Sequence, residues 1–237
     1  MSGSATSPLA GMPTSTAEQL LRERGITGVA MRGLRPVGGA ARLAGPARTL
    51  RYLPARNDVA AGPNGPVARA AVEALRPGDV LVVDALGSLD AAVFGDMMGA
   101  RARHLGAAGV VADGAVRDAA AFPALGLPVF ARGTHPAPSK VALVDWERDV
   151  AVQCGGCLVQ PGDHVLADED GVVIIPEDAV AQLAAAAARA GALEAYSQRL
   201  LEAGHPLDAA YPVAPALLDA FEDFRRDGVI PDPTEKR

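Results

Sequence analysis

The stretch from Asp79 to Gly133 reads DVLVVDALGSLDAAVFGDMMGARARHLGAAGVVADGAVRDAAAFPALGLPVFARG, and its rhythm decides the fold class. DVLVVDA (79–85) is a continuous apolar run of the kind that forms a strand buried on both faces. GDMMGARARHLG (95–106) follows as a helix and GVVADG (109–114) as a second buried strand. A short helix or turn after Asp118 leads to PVFARG (128–133) as a third. Strands alternating with helices in this way predict an α/β core.

Upstream, Ser15-Thr16-Ala17-Glu18 has capping-box spacing and opens a helix that Gly25 can close. A Gly- and Pro-rich β-type region then ends in a strand near Thr49 to Leu53. PARNDVAAGPNGP (54–66) is a loop, and Val67 to Leu75 is a helix. Downstream, VALV, DVAVQC, CLVQPGDHVLAD and GVVIIP read as antiparallel or mixed strands. An Ala-rich helix from Asp178 to about Gly204 and a last helix, PALLDAFEDFRRDG (215–228), end the ordered chain. The expected organisation is a disordered tail over 1–13, an α/β domain over 14–204 and a helical C-terminal extension over 205–237.

Composition bounds the function. The chain has 237 residues, 49% hydrophobic and 21% charged, as in a soluble globular protein. Only 4% are aromatic and the formal net charge is -6, so neither base stacking nor phosphate attraction favours a nucleic-acid partner. No stretch approaches 18 apolar residues, and MSGSATSPLAGMPTS lacks the basic start and apolar run of a signal peptide. Two cysteines suit a reducing compartment, so no membrane partner and a cytoplasmic location are expected. Lysine occurs only at Lys140, in the loop HPAPSK, and at Lys236 near the end. Schiff-base chemistry needs a lysine in a shaped, desolvating pocket and is therefore disfavoured.

The chemistry is carried by GDMMGARARHLGAAGVVADGAVRD, Gly95 to Asp118. In a parallel α/β sheet ligands bind beyond the carboxyl ends of the strands, which is where Arg117 and Asp118 fall. If the helix start at Asp96 faces the same cleft, its free N–H groups can hold an anion. Arg beside Asp then offers a clamp for a carboxylate or enolate next to a hard oxygen ligand. A surface salt bridge with a helix cap would have the same spacing.

Asp96, twenty intervening residues, then Arg117-Asp118 within GVVADGAVRD resembles the hallmark of the RraA-like family. That family includes 4-hydroxy-4-methyl-2-oxoglutarate aldolases and the regulator of ribonuclease activity A. The likeness extends through STAEQLLRERG, LRPVGGAARLAGPARTLRYLP, PGDVLVVDALG, PVFARG and PGDHVLADEDGVVIIP, roughly Thr14 to Glu202. It implies a swivelling β/β/α sandwich with a helical C-terminal arm, assembled as a homotrimer or homohexamer with sites at subunit boundaries. It further implies a divalent metal, Mg2+ or Mn2+, on Asp118. Arg117 would contact the 2-oxo acid and its enolate, and Asp96 would position water and take part in proton transfer. The substrate carboxylate would rest on amides of the helix start, at Gly95, Met97, Met98 and Gly99.

The activity implied is retro-aldol cleavage of a small 4-hydroxy-2-oxo acid releasing pyruvate, or decarboxylation of oxaloacetate. The alternative is a non-catalytic protein-binding regulator resembling the ribonuclease E inhibitor. Two departures bear on the metal shell. Ala121 stands where many aldolases carry an acid three residues after the Arg-Asp aspartate. Glu194 aligns with an acid that a neighbouring subunit contributes, while the adjacent acidic position is Gly191. The stripe Leu217, Leu218, Phe221 and Phe224 reads as packing. Cys154-Gly-Gly-Cys157 reads as two structural thiols around a tight turn, and Asp168-Glu169-Asp170-Gly171 as a solvated turn. His104, His135, His164 and His205 lack metal-helix spacing.

Overall fold

Four parallel strands carry the centre of the molecule: β3 (Leu43–Pro54), β4 (Val80–Asp84), β5 (Gly109–Val116) and β6 (Val129–Thr134). The computed structural model describes residues 7–39, 41–58 and 66–233. Every residue of β4 and β5 is buried, which is why both read as unbroken apolar runs. Antiparallel strands extend the sheet on both sides. β2 (Arg35–Pro36) pairs with β6, and β7 (Leu143–Arg148) with the far half of β3. β10 (His164–Asp168) joins the near half of β3 to β11 (Gly171–Ile175), which pairs in turn with β1 (Ala30–Met31).

Side chains alternate across the sheet and so build two cores. Leu81, Val83, Val110 and Val129 face helices α2 (Val67–Glu73), α3 (Asp96–His104) and α4 (Ala121–Leu125), where Val72, Ala102 and Phe122 meet them. Val80, Val82, Val111 and Phe130 face the opposite way. They pack on Val165 and Ile174 of the antiparallel strands, and on the hairpin of β8 (Val152–Cys154) and β9 (Cys157–Val159). This is the expected β/β/α layering. β3 serves both β layers, pairing with β10 over 43–46 and with β4 over 47–51. At the crossing, a side chain on Gly45 would run into the Gly78 carbonyl. The strand is therefore longer than the expected Thr49 to Leu53.

The start of α1 (Thr14–Glu23) departs from the capping-box reading. The helix begins earlier, after Pro13, and no side chain of its own caps it. Asp168, at the end of β10, accepts the Thr14 amide at 2.9 Å and the Thr14 hydroxyl at 2.6 Å. The run Asp168-Glu169-Asp170-Gly171 is accordingly more than a solvated turn, because Asp168 is buried as a helix cap. Of the tail expected over 1–13, the part from Ser7 onward is built in: residues 8–11 form a turn, and Leu9 and Met12 are buried. Residues 1–6 lie outside the described residues, as does 59–65 of the expected loop.

The chain divides into two packed units, 1–183 and 184–237, inside the long helix α5 (Val180–Glu202). In the second unit, Tyr196 and Leu200 bury against Phe221 of α7 (Pro215–Asp227) and Ala210 of α6 (Leu207–Ala210). The Tyr196 ring lies 5.5 Å from Phe221 and 5.0 Å from Phe224, and its hydroxyl donates to the Leu217 carbonyl at 2.9 Å. The stripe on α7 is thus packing, with Leu218 at its exposed margin. Among the described residues no helix is long and apolar enough to cross a membrane.

Candidate functional site

β4, β5 and β6 run in the same direction, so the chain leaves all three at one edge of the sheet. Arg117 and Asp118 emerge there directly after β5. The crossover from β4 to α3 turns first on Asp84, whose carboxylate accepts the Leu86 amide at 3.1 Å. It then takes over the place of β4 beside β5. The Val93 amide donates to the Ala115 carbonyl, and the Arg117 amide to the Phe94 carbonyl, each at 2.9 Å. Tyr52 steadies this segment by donating its buried hydroxyl to the Val93 carbonyl at 3.3 Å. Burial pushes its phenol well above the usual tyrosine range, so it stays a neutral donor.

The crossover thereby delivers Gly95, the cap of α3, onto the Arg-Asp pair. A β-carbon on Gly95 would stand 3.0 Å from Arg117 Cγ, 3.0 Å from Asp118 Oδ2 and 3.1 Å from Arg117 Nε. The helix start and the Arg-Asp pair therefore lie against each other, the condition that sequence spacing left open. Arg117 Nε and Asp118 Oδ2 are 3.2 Å apart, and both side chains are roughly half exposed. Asp118 has the left-handed φ of 55°, and its carbonyl accepts the Ala121 amide at 2.9 Å to begin α4. Asp96 opens α3 and accepts the Met97 amide at 2.7 Å. The Gly99 amide already donates to the Gly95 carbonyl at 2.9 Å. Gly99 instead lets α3 close on Phe94, Phe122 and Leu125, while the Met97 side chain projects at 72% exposure.

Behind this edge lies a polar cluster that sequence reasoning missed. Asp113 is fully buried on β5 and paired with Arg132 Nε of β6. It also accepts the Gly155 amide at 2.8 Å and Gln153 Nε2 at 3.2 Å, tying the β8–β9 hairpin to the sheet. The Asp84 carboxyl is pushed up by burial, against the pull of the Leu86 and Gln153 amides. An aspartate inside GVVADG one strand from an arginine in PVFARG was the available signal, since a buried carboxylate needs partners. Cys154 and Cys157 are free, buried thiols facing each other across the Gly155–Gly156 turn. Burial pushes both thiols up, in keeping with a structural role. His104 is exposed at the far end of α3, and His205 Nε2 lies 2.9 Å from the Pro231 carbonyl.

For the implied metal, Asp118 provides a carboxylate with only one oxygen committed to Arg117, and Asp96 a second carboxylate on the motif. Oxygen donors of this kind suit a hydrated hard cation held by one or two carboxylates plus substrate and water. A protein cage is not formed, because no three His, Cys, Asp or Glu side chains gather around a potential metal among the described residues. Ala121 supplies no donor, and Glu194 is exposed on α5 in the second unit.

Residues 14–174 match the RraA-like family, described as Aldolase/RraA. A Halalkalibacterium halodurans protein named "Putative 4-hydroxy-4-methyl-2-oxoglutarate aldolase" is 42% identical over 144 residues, covering 61% of this chain and 64% of that protein. A Burkholderia multivorans protein of the same name is 43% identical over 141 residues, covering 60% of this chain and 80% of its own. Streptomyces coelicolor RraAS2, described as an unusual member of the RNase ES inhibitor RraA protein family, superposes with a TM-score of 0.75 at 36% identity. That likeness covers 84% of this chain and 97% of RraAS2.

Proposed function

The chain belongs to the RraA-like family, and from that membership we propose that it is a divalent-metal-dependent lyase acting on a small 2-oxo acid. It would cleave a 4-hydroxy-2-oxo acid to release pyruvate, or decarboxylate oxaloacetate through the same enolate. The observation that carries this reading is the contact of Gly95 with Arg117 and Asp118, which joins the anion-holding end of α3 to a cation and a carboxylate.

In the cleavage, the C4 hydroxyl loses its proton and the C3–C4 bond breaks. The bond's electron pair passes onto C3, C2 and the ketone oxygen as an enolate, and a proton added at C3 completes pyruvate. Asp96 takes part in these proton movements. With the Met97 amide taken by Asp96 and the Gly99 amide by the Gly95 carbonyl, the Gly95 and Met98 amides would hold the substrate carboxylate, where the helix end favours negative charge. Arg117 would contact the enolate oxygen as its charge develops. Mg2+ or Mn2+ held by Asp118 would supply further positive charge to that oxygen. Lys140 is exposed on the 3-10 turn Ser139–Val141, so it does not serve as the electron sink.

Pyruvate release from 4-hydroxy-4-methyl-2-oxoglutarate and from oxaloacetate, with Mg2+ or Mn2+ and with chelator, tests the reading. Arg117→Ala and Asp118→Ala are each expected to lower turnover by about a hundredfold or more, the scale on which one aimed charge-stabilising group acts. Chelator should abolish it. No turnover above the metal-only blank, from a folded protein, would overturn both activities. The second reading is a protein-binding regulator, favoured by a likeness to RraAS2 that spans more of this chain than the likeness to the aldolase-named relatives. Inhibition of RNase ES without any turnover would establish it instead.

A further inference from the structure

The segment after β6 lies outside the set formed by Gly95, Asp96, Arg117 and Asp118. The His135 amide donates to the Val116 carbonyl at 2.9 Å, immediately before Arg117. Two residues on, the Ala137 carbonyl accepts the Ala92 amide at 2.8 Å, on the crossover that ends at Gly95. Residues 135–137 thus bridge the two segments that deliver Arg117–Asp118 and Gly95–Asp96.

The His135 ring is oriented within this bridge. Its Nδ1 is 3.1 Å from the Ala137 amide nitrogen. An amide N–H only donates, so Nδ1 is the acceptor and the neutral ring carries its proton on Nε2. The residue is half-buried, and Nε2 is not among the buried atoms that lack a partner. No hydrogen bond occupies it among the described residues, so a fixed N–H donor stands free at the edge where the site lies.

We propose that His135 is a further substrate-binding residue that holds the second carboxylate, on the half that departs in the cleavage; this deepens the lyase reading and rests on it. Arg117 and the start of α3 account for the 2-oxo acid half. The other half has no partner among those groups. With Nδ1 engaged and Nε2 protonated, His135 acts as a donor and not as a base. A donor fixed on a carboxylate favours its staying charged and bound, so His135 favours cleavage of a dicarboxylic substrate over loss of a carboxylate as CO2.

The test compares kcat/KM for 4-hydroxy-4-methyl-2-oxoglutarate with that for 4-hydroxy-2-oxopentanoate, which lacks the second carboxylate. His135→Asn keeps an acceptor for the Ala137 amide and removes the outward N–H. His135→Gln places an N–H near the former Nε2. The preference of the wild type for the dicarboxylate should fall by about tenfold or more in His135→Asn, the scale of a hydrogen bond to a charged group. Part of it should return in His135→Gln. An unchanged preference in His135→Asn overturns the assignment of His135. Exchange of pyruvate methyl protons with D2O by the wild type, which involves no departing half, tests the lyase reading separately. Neither exchange nor cleavage would remove that reading and the role of His135 with it.

Discussion

A methyl group on Gly95 would press on both members of the ion pair at once, standing 3.0 Å from Arg117 Cγ and from Asp118 Oδ2. The backbone there is extended, with φ -153° and ψ -173°, so alanine meets no conformational penalty. Displacing reacting groups by a fraction of an ångström to 1 Å costs on the order of a hundredfold in rate. Gly95→Ala is therefore expected to melt within a few degrees of the wild type while pyruvate release falls at least about tenfold. Melting curves run beside the pyruvate assay check both halves. Asp96, Arg117 and Asp118 were legible in the sequence because they form a gapped but fixed pattern. The closeness of Gly95 to the Arg-Asp pair was not, since it depends on how the crossover returns along the end of β5.

At the scale of elements, α1 is capped from outside. Burial pushes the Asp168 carboxyl up, but hydrogen bonds from the Thr14 hydroxyl and amide and the Asp170 amide outweigh it, so it lies below its ordinary value. A carboxyl lower in the folded than in the unfolded chain contributes fully above the unfolded value, about 3.9, and loses that contribution as pH falls through the folded value. Asp79, Asp84 and Asp163, raised mainly by burial, act in the opposite sense, and their contribution is lost as pH rises. The difference between wild type and Asp168→Asn isolates the cap. The variant should be less stable at pH 7, and the gap should close below about pH 4. Urea midpoints across that range decide it; a gap independent of pH would deny the charged cap. The hairpin tie is a second case. Arg132→Leu leaves Asp113 buried without its cation, a loss on the order of 3 kcal/mol, lessened by the partial exposure of Arg132. Chemical denaturation of the two proteins measures it.

For the whole molecule, the proposed metal would meet only the carboxylates of Asp118 and Asp96 within one chain, and the family resemblance implies an acid from a neighbouring copy. We expect light scattering to give a mass near three or six times 24.1 kDa, and Glu194→Ala to weaken Mn2+ binding in calorimetry. A fully active monomer would remove Glu194 from the site. The run from β4 to β6 is readable in the chain alone, because strands buried on both faces are written as continuous apolar stretches. The Asp and Arg-Asp pattern is written there too, because its members span only α3, β5 and the two residues after it. The rest follows from how the folded chain packs. Asp168 caps a helix 154 positions away, Asp113 meets Arg132 and the hairpin, β3 serves two layers, and α5 is shared between two packed units. These are pairings between distant residues, made by the satisfaction of buried polar groups and by shared apolar surface. Local spacing records neither.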